Sequence, residues 1–180
     1  MRRFVLTYGL IGGAILSALM FITFLGFHDQ IGFGTTGLIV GYTGMVMGFL
    51  MVYFGVKAYR DSVAPEGLSF GRAFKVGLLI TLVATVCYVA SWQVIYYGFA
   101  PDFMDQYAAY SLEEARQAGA SGAELAEKAA KMEEFKEMYR NPLVNIGFTF
   151  LEPLPVGLVF TLVTAGVLGR KRRVKEPAAA

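Results

Sequence analysis

Apolar residues in this chain gather into four long blocks, at residues 4–27, 37–56, 73–99 and 143–168. Each is long enough for an α-helix to cross a hydrocarbon core, which takes about 20 predominantly apolar residues. Charge is nearly absent from them: Lys75 stands near the start of the third, and Glu152 lies inside the fourth. Within lipid, a helix satisfies its own backbone donors and acceptors, so the pattern predicts helices. The expected fold is all-α, an integral membrane four-helix bundle formed by a single membrane domain over residues 1–180.

Arg2 and Arg3 precede the first block, as they would a signal peptide. The apolar run is too long for a signal core and ends in Leu25-Gly26-Phe27 without a small-x-small site, so a retained helix is expected. Gly9 and Gly13 form a small-xxx-small pair within it. In the second block Gly37, Gly41, Gly44, Gly48 and Gly55 fall near one helix face, where a missing side chain lets helices approach closely. That face suits packing against the first or third span, or a homodimer seam. Pro65-Glu66-Gly67 marks a turn between the second and third spans.

The third block is aromatic toward its end, with Tyr88, Trp92, Tyr96, Tyr97 and Phe99. The outermost of these suit a membrane–water interface. Thr81, Thr85, Tyr88 and Trp92 recur at helical spacing and predict a mildly polar inward face, with Gln93 as a further donor.

Residues 101–141 are the one sizeable polar segment, expected to form a helical hairpin inserted between the third and fourth spans. Two Ser-x-x-Glu capping boxes, Ser111–Glu114 and Ser121–Glu124, predict a short helix over 111–118 and a longer one over 122–139. Asn141-Pro142 should end the second. Leu125, Met132, Phe135 and Met138 or Tyr139 give it a thin apolar stripe. The adjacent carboxylate pairs Glu113-Glu114 and Glu133-Glu134 read as surface charge.

Charge then suggests an orientation. The N-terminus, the loop after the second span and the basic tail at 169–180 together hold eleven Lys and Arg against three carboxylates. The opposite side holds five against ten. Basic residues concentrate on the cytoplasmic side, so both termini are expected there and the hairpin outside. Arg72 and Lys75 are placed to meet lipid phosphates, and Arg60 and Asp61 to lock the cytoplasmic loop. Basic residues flanking spans are topology and lipid signals, and no nucleic-acid partner is expected. One Cys and one His, Cys87 and His28, leave no basis for a disulfide framework, a metal site or a thiol active site. No cofactor is expected.

The chemistry concentrates at Glu152. Asn145, Thr149 and Glu152 are spaced to share one helix face, a polar row running inward from the outer surface. Glu152 should lie ~5 Å to the outer side of the span's centre at a rise of ~1.5 Å per residue. Pro153 and Pro155 follow, and prolines lack the N–H that would bind the carbonyls of Thr149 and Leu151, so the helix should kink or break. A carboxylate at bilayer depth is costly and usually meets a partner or a hydrated cavity. His28, Tyr88 and Gln93 are the candidate partners. Two readings of Glu152 stand: a structural hydrogen bond to a neighbouring helix, or a site for a proton, ion or ligand.

Several ordered motifs also resemble a known family. They are Tyr53-Phe54-Gly55-Val56-Lys57-Ala58-Tyr59-Arg60-Asp61, then Gly67-Leu68-Ser69-Phe70-Gly71-Arg72-Ala73-Phe74-Lys75-Val76-Gly77. Met138-Tyr139-Arg140-Asn141-Pro142 and Phe150-Leu151-Glu152-Pro153-Leu154-Pro155-Val156-Gly157-Leu158 follow, with a basic tail. Together they resemble the bacterial membrane-protein family catalogued as domain of unknown function 4199. The resemblance covers nearly the whole chain. It implies a multi-pass protein of the bacterial inner membrane, highlights Arg60, Asp61, Phe70, Gly71, Glu152, Pro155 and Gly157, and supplies no reaction.

The expected function is therefore a non-enzymatic binding or accessory membrane protein, whose intramembrane Glu152 site takes a proton, ion, lipid or partner helix. The alternative is a small oligomeric transporter or channel using Glu152 in a hydrated pathway. Expected partners are membrane lipids and a second copy or another membrane protein. Without a nucleophile–base pair or metal cluster in the sequence, an enzyme is not expected.

Overall fold

The computed structural model describes residues 1–26, 32–63 and 67–169. The helices are α1 (Arg2–Gly26), α2 (Thr35–Val63), α3 (Phe70–Gly98), α4 (Phe103–Gln117), α5 (Gly122–Tyr139), α6 (Pro142–Leu151) and α7 (Leu154–Leu168). Four units are long and apolar enough to cross a membrane: α1, α2, α3, and α6 with α7 taken together. Among the described residues there is no extended strand. The second unit outruns its apolar block, continuing through Lys57, Arg60 and Asp61 to Val63.

Helix α3 is the central element. It packs against α1, α7 and α2, while α1 and α7 lie on opposite flanks of the α2–α3 pair. Contacts are close where glycine removes a side chain. A methyl on Gly9 would sit 2.7 Å from Val83 Cβ, and one on Gly48 would overlap Leu16. Gly55 likewise faces Ile80 and Tyr8. The lower part of the α2 glycine row thus packs inside this chain, whereas Gly41 faces open space. Phe49, Val52, Val56, Val76 and Ile80 are wholly buried and fill the interior.

Between α3 and α7 the core is polar at one level. Thr81 Oγ1 donates to the Gly157 carbonyl at 3.3 Å and lies 3.0 Å from Thr161 Oγ1. Gly157 permits this approach, because a methyl there would overlap the Thr81 side chain and crowd the Phe49 ring.

The hairpin differs from expectation in its first half. Helix α4 begins at Phe103, so Ser111 lies buried in mid-helix rather than at a cap. The second capping box forms: Glu124 N donates to Ser121 Oγ, and Ser121 N donates to Glu124 Oε2 at 2.7 Å. Lys136 of α5 pairs with Asp105 of α4, closing the hairpin. Asn141 caps α6, its Oδ1 accepting from Leu143 N at 3.0 Å, with Pro142 at the first helical position.

Candidate functional site

The fourth apolar unit is interrupted at Glu152 and Pro153, where α6 ends and α7 begins. Proline at 153 and 155 removes two N–H donors, so the ladder cannot run through this point. The chain re-enters a helix with Gly157 N donating to the Pro153 carbonyl at 3.0 Å. The change of course sets the two halves differently: α7 packs against α2 and α3, and α6 packs chiefly against α3 and α5. Beside α6 the start of α2 therefore stands apart, and a cleft opens under the hairpin.

The cleft has a volume of about 500 Å³ and is partly open. Its walls come from Phe33 just before α2, from the start of α2 (Leu38), from α3 (Tyr88, Trp92) and from α4 (Phe103, Met104, Tyr107). Helix α5 adds Phe135 and Tyr139, and α6 adds Phe148, Thr149 and, at its end, Glu152. Glu152 is an exposed residue among those that line the cleft. The Tyr88 hydroxyl donates to Glu152 Oε2 at 3.0 Å.

Ring contacts hold the hairpin over this space. Phe103 meets Trp92 edge-on at a centroid distance of 4.8 Å and lies 5.9 Å from Phe24 of α1. Phe33 contacts Phe103 at 5.3 Å and Tyr107 at 5.7 Å. On the other side Tyr139 packs on Tyr96 at 5.5 Å, and Phe135 on Phe148 at 5.6 Å. Tyr96 is consequently buried beneath the hairpin rather than displayed at an interface, while Tyr97 and Phe99 are exposed.

A polar chain runs along the α3–α6 wall. Trp92 Nε1 donates to Tyr139 Oη at 3.0 Å, and the Thr149 hydroxyl lies beside the same phenol. Burial pushes the Tyr139 phenol above its ordinary value, so its oxygen keeps a proton to donate. Thr149 Oγ1 donates back to the Asn145 carbonyl at 2.8 Å. Gln93 Nε2 donates to Asn145 Oδ1 at 2.7 Å, while the wholly buried Asn145 Nδ2 has no hydrogen-bond partner.

The structure brings Glu152, Thr149, Pro153, Tyr88, Gln93 and Asn145 into one region, with Thr149 and Glu152 on the cleft and Asn145 packed behind it. Pro153 is buried and Pro155 exposed. His28 and the tail from 170 lie outside the described residues. Arg60 Nε donates to Asp61 Oδ1 at 2.9 Å within the last turn of α2. Arg72 and Lys75 are exposed on the first turns of α3. Among the described residues no three His, Cys, Asp or Glu side chains converge as metal ligands. The sequence reading missed the aromatic enclosure. Its signal was the density of rings at residues 88–110 and 135–148, which belong to elements distant in sequence.

Residues 7–170 match the family described as "Protein of unknown function (DUF4199)", and the chain belongs to it. No curated protein and no solved structure matches the chain.

Proposed function

We propose that this family member is a non-enzymatic, ligand-binding membrane protein whose cleft presents Glu152 to a bound molecule. The observation that carries the proposal is the placement of an accessible carboxylate on a largely aromatic cleft of about 500 Å³, beneath a docked hairpin. Pockets of roughly 300–1,000 Å³ suit small molecules, which they hold by apolar walls and a few placed polar groups. An acid kept at bilayer depth with one phenol partner fits recognition better than scaffolding, since an apolar residue would pack there without the cost of desolvation.

The charge asymmetry argues that both termini lie in the cytoplasm and the hairpin outside, and the family resemblance implies the bacterial inner membrane. In that orientation the cleft belongs to the outer half of the bilayer. Below Glu152 the bundle is filled by Phe49, Val52 and the Thr81–Thr161 contact, which favours a blind site over a through-going pathway.

Native mass spectra of protein extracted mildly from its own membranes, as wild type and as Glu152→Gln, test this reading. A small molecule carried by the wild type and lost from the variant is the expected result. A second protein lost in the same way would make the site an assembly contact. Identical unliganded spectra would reduce Glu152 to a structural residue.

A further inference from the structure

The cleft's electrostatics narrow what can fill it. The rings of Phe33, Trp92, Phe103, Phe135 and Phe148 line it, and aromatic faces carry negative potential that attracts cations within about 6 Å. Among the described residues that line it, Glu152 is the one carboxylate and there is no Lys or Arg. The nearby cations Lys136 and Arg140 belong to a separate hollow beside Asp105, where Lys136 is already paired. One oxygen of Glu152, Oε2, accepts from Tyr88, which leaves Oε1 without a hydrogen bond among the described residues.

We propose, building on the reading of this cleft as a ligand site, that it selects organic cations: an ammonium group on an apolar body. The ammonium meets Glu152, and the body fills the space between the rings. A phospholipid amine fits poorly, because its phosphate would enter beside a carboxylate with no Lys or Arg to receive it. The proposal is therefore for a phosphate-free amine or quaternary ammonium compound.

Trp92, the single tryptophan of the chain, lines the cleft and reports on its occupancy. Its fluorescence would be titrated, in lipid nanodiscs holding the full chain, with benzyltrimethylammonium, its neutral isostere neopentylbenzene, and phenylmethanesulfonate. The expected result is saturable binding of the cation, weakened at least about tenfold by Glu152→Gln and at least about tenfold stronger than binding of the isostere. The sulfonate should leave the signal unchanged. Gly166→Ala, on α7 and outside the cleft lining, should hold the cation within about threefold of wild type. Equal binding of cation and isostere would overturn the proposal and leave a neutral-ligand site, and cation binding that survives Glu152→Gln would overturn it by removing Glu152 as the partner of the ammonium. A silent Trp92 with a ligand present in the native mass spectra would also overturn it. A silent Trp92 together with empty mass spectra would remove the ligand-site reading itself.

Discussion

The Tyr88 hydroxyl donates to Glu152 Oε2 across 3.0 Å, tying the middle of α3 to the break between α6 and α7. The two residues are 64 positions apart, so this bond fixes the fourth apolar unit against the central helix at the point where its own ladder fails. Interhelical hydrogen bonds within membranes contribute about 0.6–2 kcal/mol. Tyr88→Phe should lower stability by that amount in reversible unfolding in mild detergent, and Glu152→Gln by less, because an amide oxygen still accepts. Wild-type stability for Tyr88→Phe would show that the tie bears no load.

Two buried threonines one helical turn apart on α3 should respond oppositely to the same change. Thr81 Oγ1 bonds to Gly157 O and Thr161, whereas the equally buried Thr85 Oγ1 has no partner. Valine copies the shape and deletes the hydroxyl. Thr81→Val should cost about 0.5–1.5 kcal/mol, and Thr85→Val should be neutral or stabilising by up to about 1 kcal/mol. Equal losses in thermal melts of the two variants would contradict the assignment.

Gly157 and Gly166 give a second matched pair on α7. A methyl at Gly157 meets Thr81 and Phe49, while one at Gly166 meets nothing within 4 Å. Gly157→Ala should destabilise by about 1–3 kcal/mol through overpacking. Gly166→Ala should be neutral or raise stability by up to about 1 kcal/mol, since alanine favours helix. Detergent-resistance half-lives at fixed temperature would rank the three proteins.

Much of this arrangement was legible from local pattern. The four apolar blocks appear as spans because length and charge depletion are properties of single segments. The break at Glu152–Pro153 follows from covalent chemistry, and the Ser121 box from a hydrogen-bond pairing only three residues wide. Ser111 shows the limit: its box is intact in sequence, yet the upstream residues from Phe103 also form helix, and docking of Phe103 and Met104 onto the bundle draws them into α4. The cleft was not legible. It exists because Phe33 before α2 and rings from α3, α4, α5 and α6 converge, and no spacing rule links residues that far apart.

The hairpin should loosen in acid through Glu124. Its hydrogen bonds from the Ser121 backbone and hydroxyl hold its carboxyl below the ordinary 4.5. A folded-state value below the unfolded one contributes stability above the unfolded pKa, and that contribution fades as pH falls through the folded value. Hydrogen exchange at the start of α5 should therefore accelerate below about pH 4.5 relative to the chemical exchange rate. Glu124→Gln, which has no titrating carboxyl, should remove this pH dependence while leaving α7 amides unaffected.

Charge orientation is open to direct labelling. One end of the bundle carries the hairpin and its surplus of carboxylates, and the other carries the α2–α3 connection with the basic groups. Cytoplasmic retention of basic residues predicts that these ends face opposite compartments in a fixed sense. Ala118 and Ser62 are exposed positions at the two ends. With the single Cys87 replaced by Ser, a membrane-impermeant maleimide should label Ala118→Cys on sealed cells. Ser62→Cys should react only after the membrane is opened. The reverse pattern would place the hairpin, and with it the mouth of the Glu152 cleft, on the cytoplasmic side. The ligand would then have to come from the cell interior.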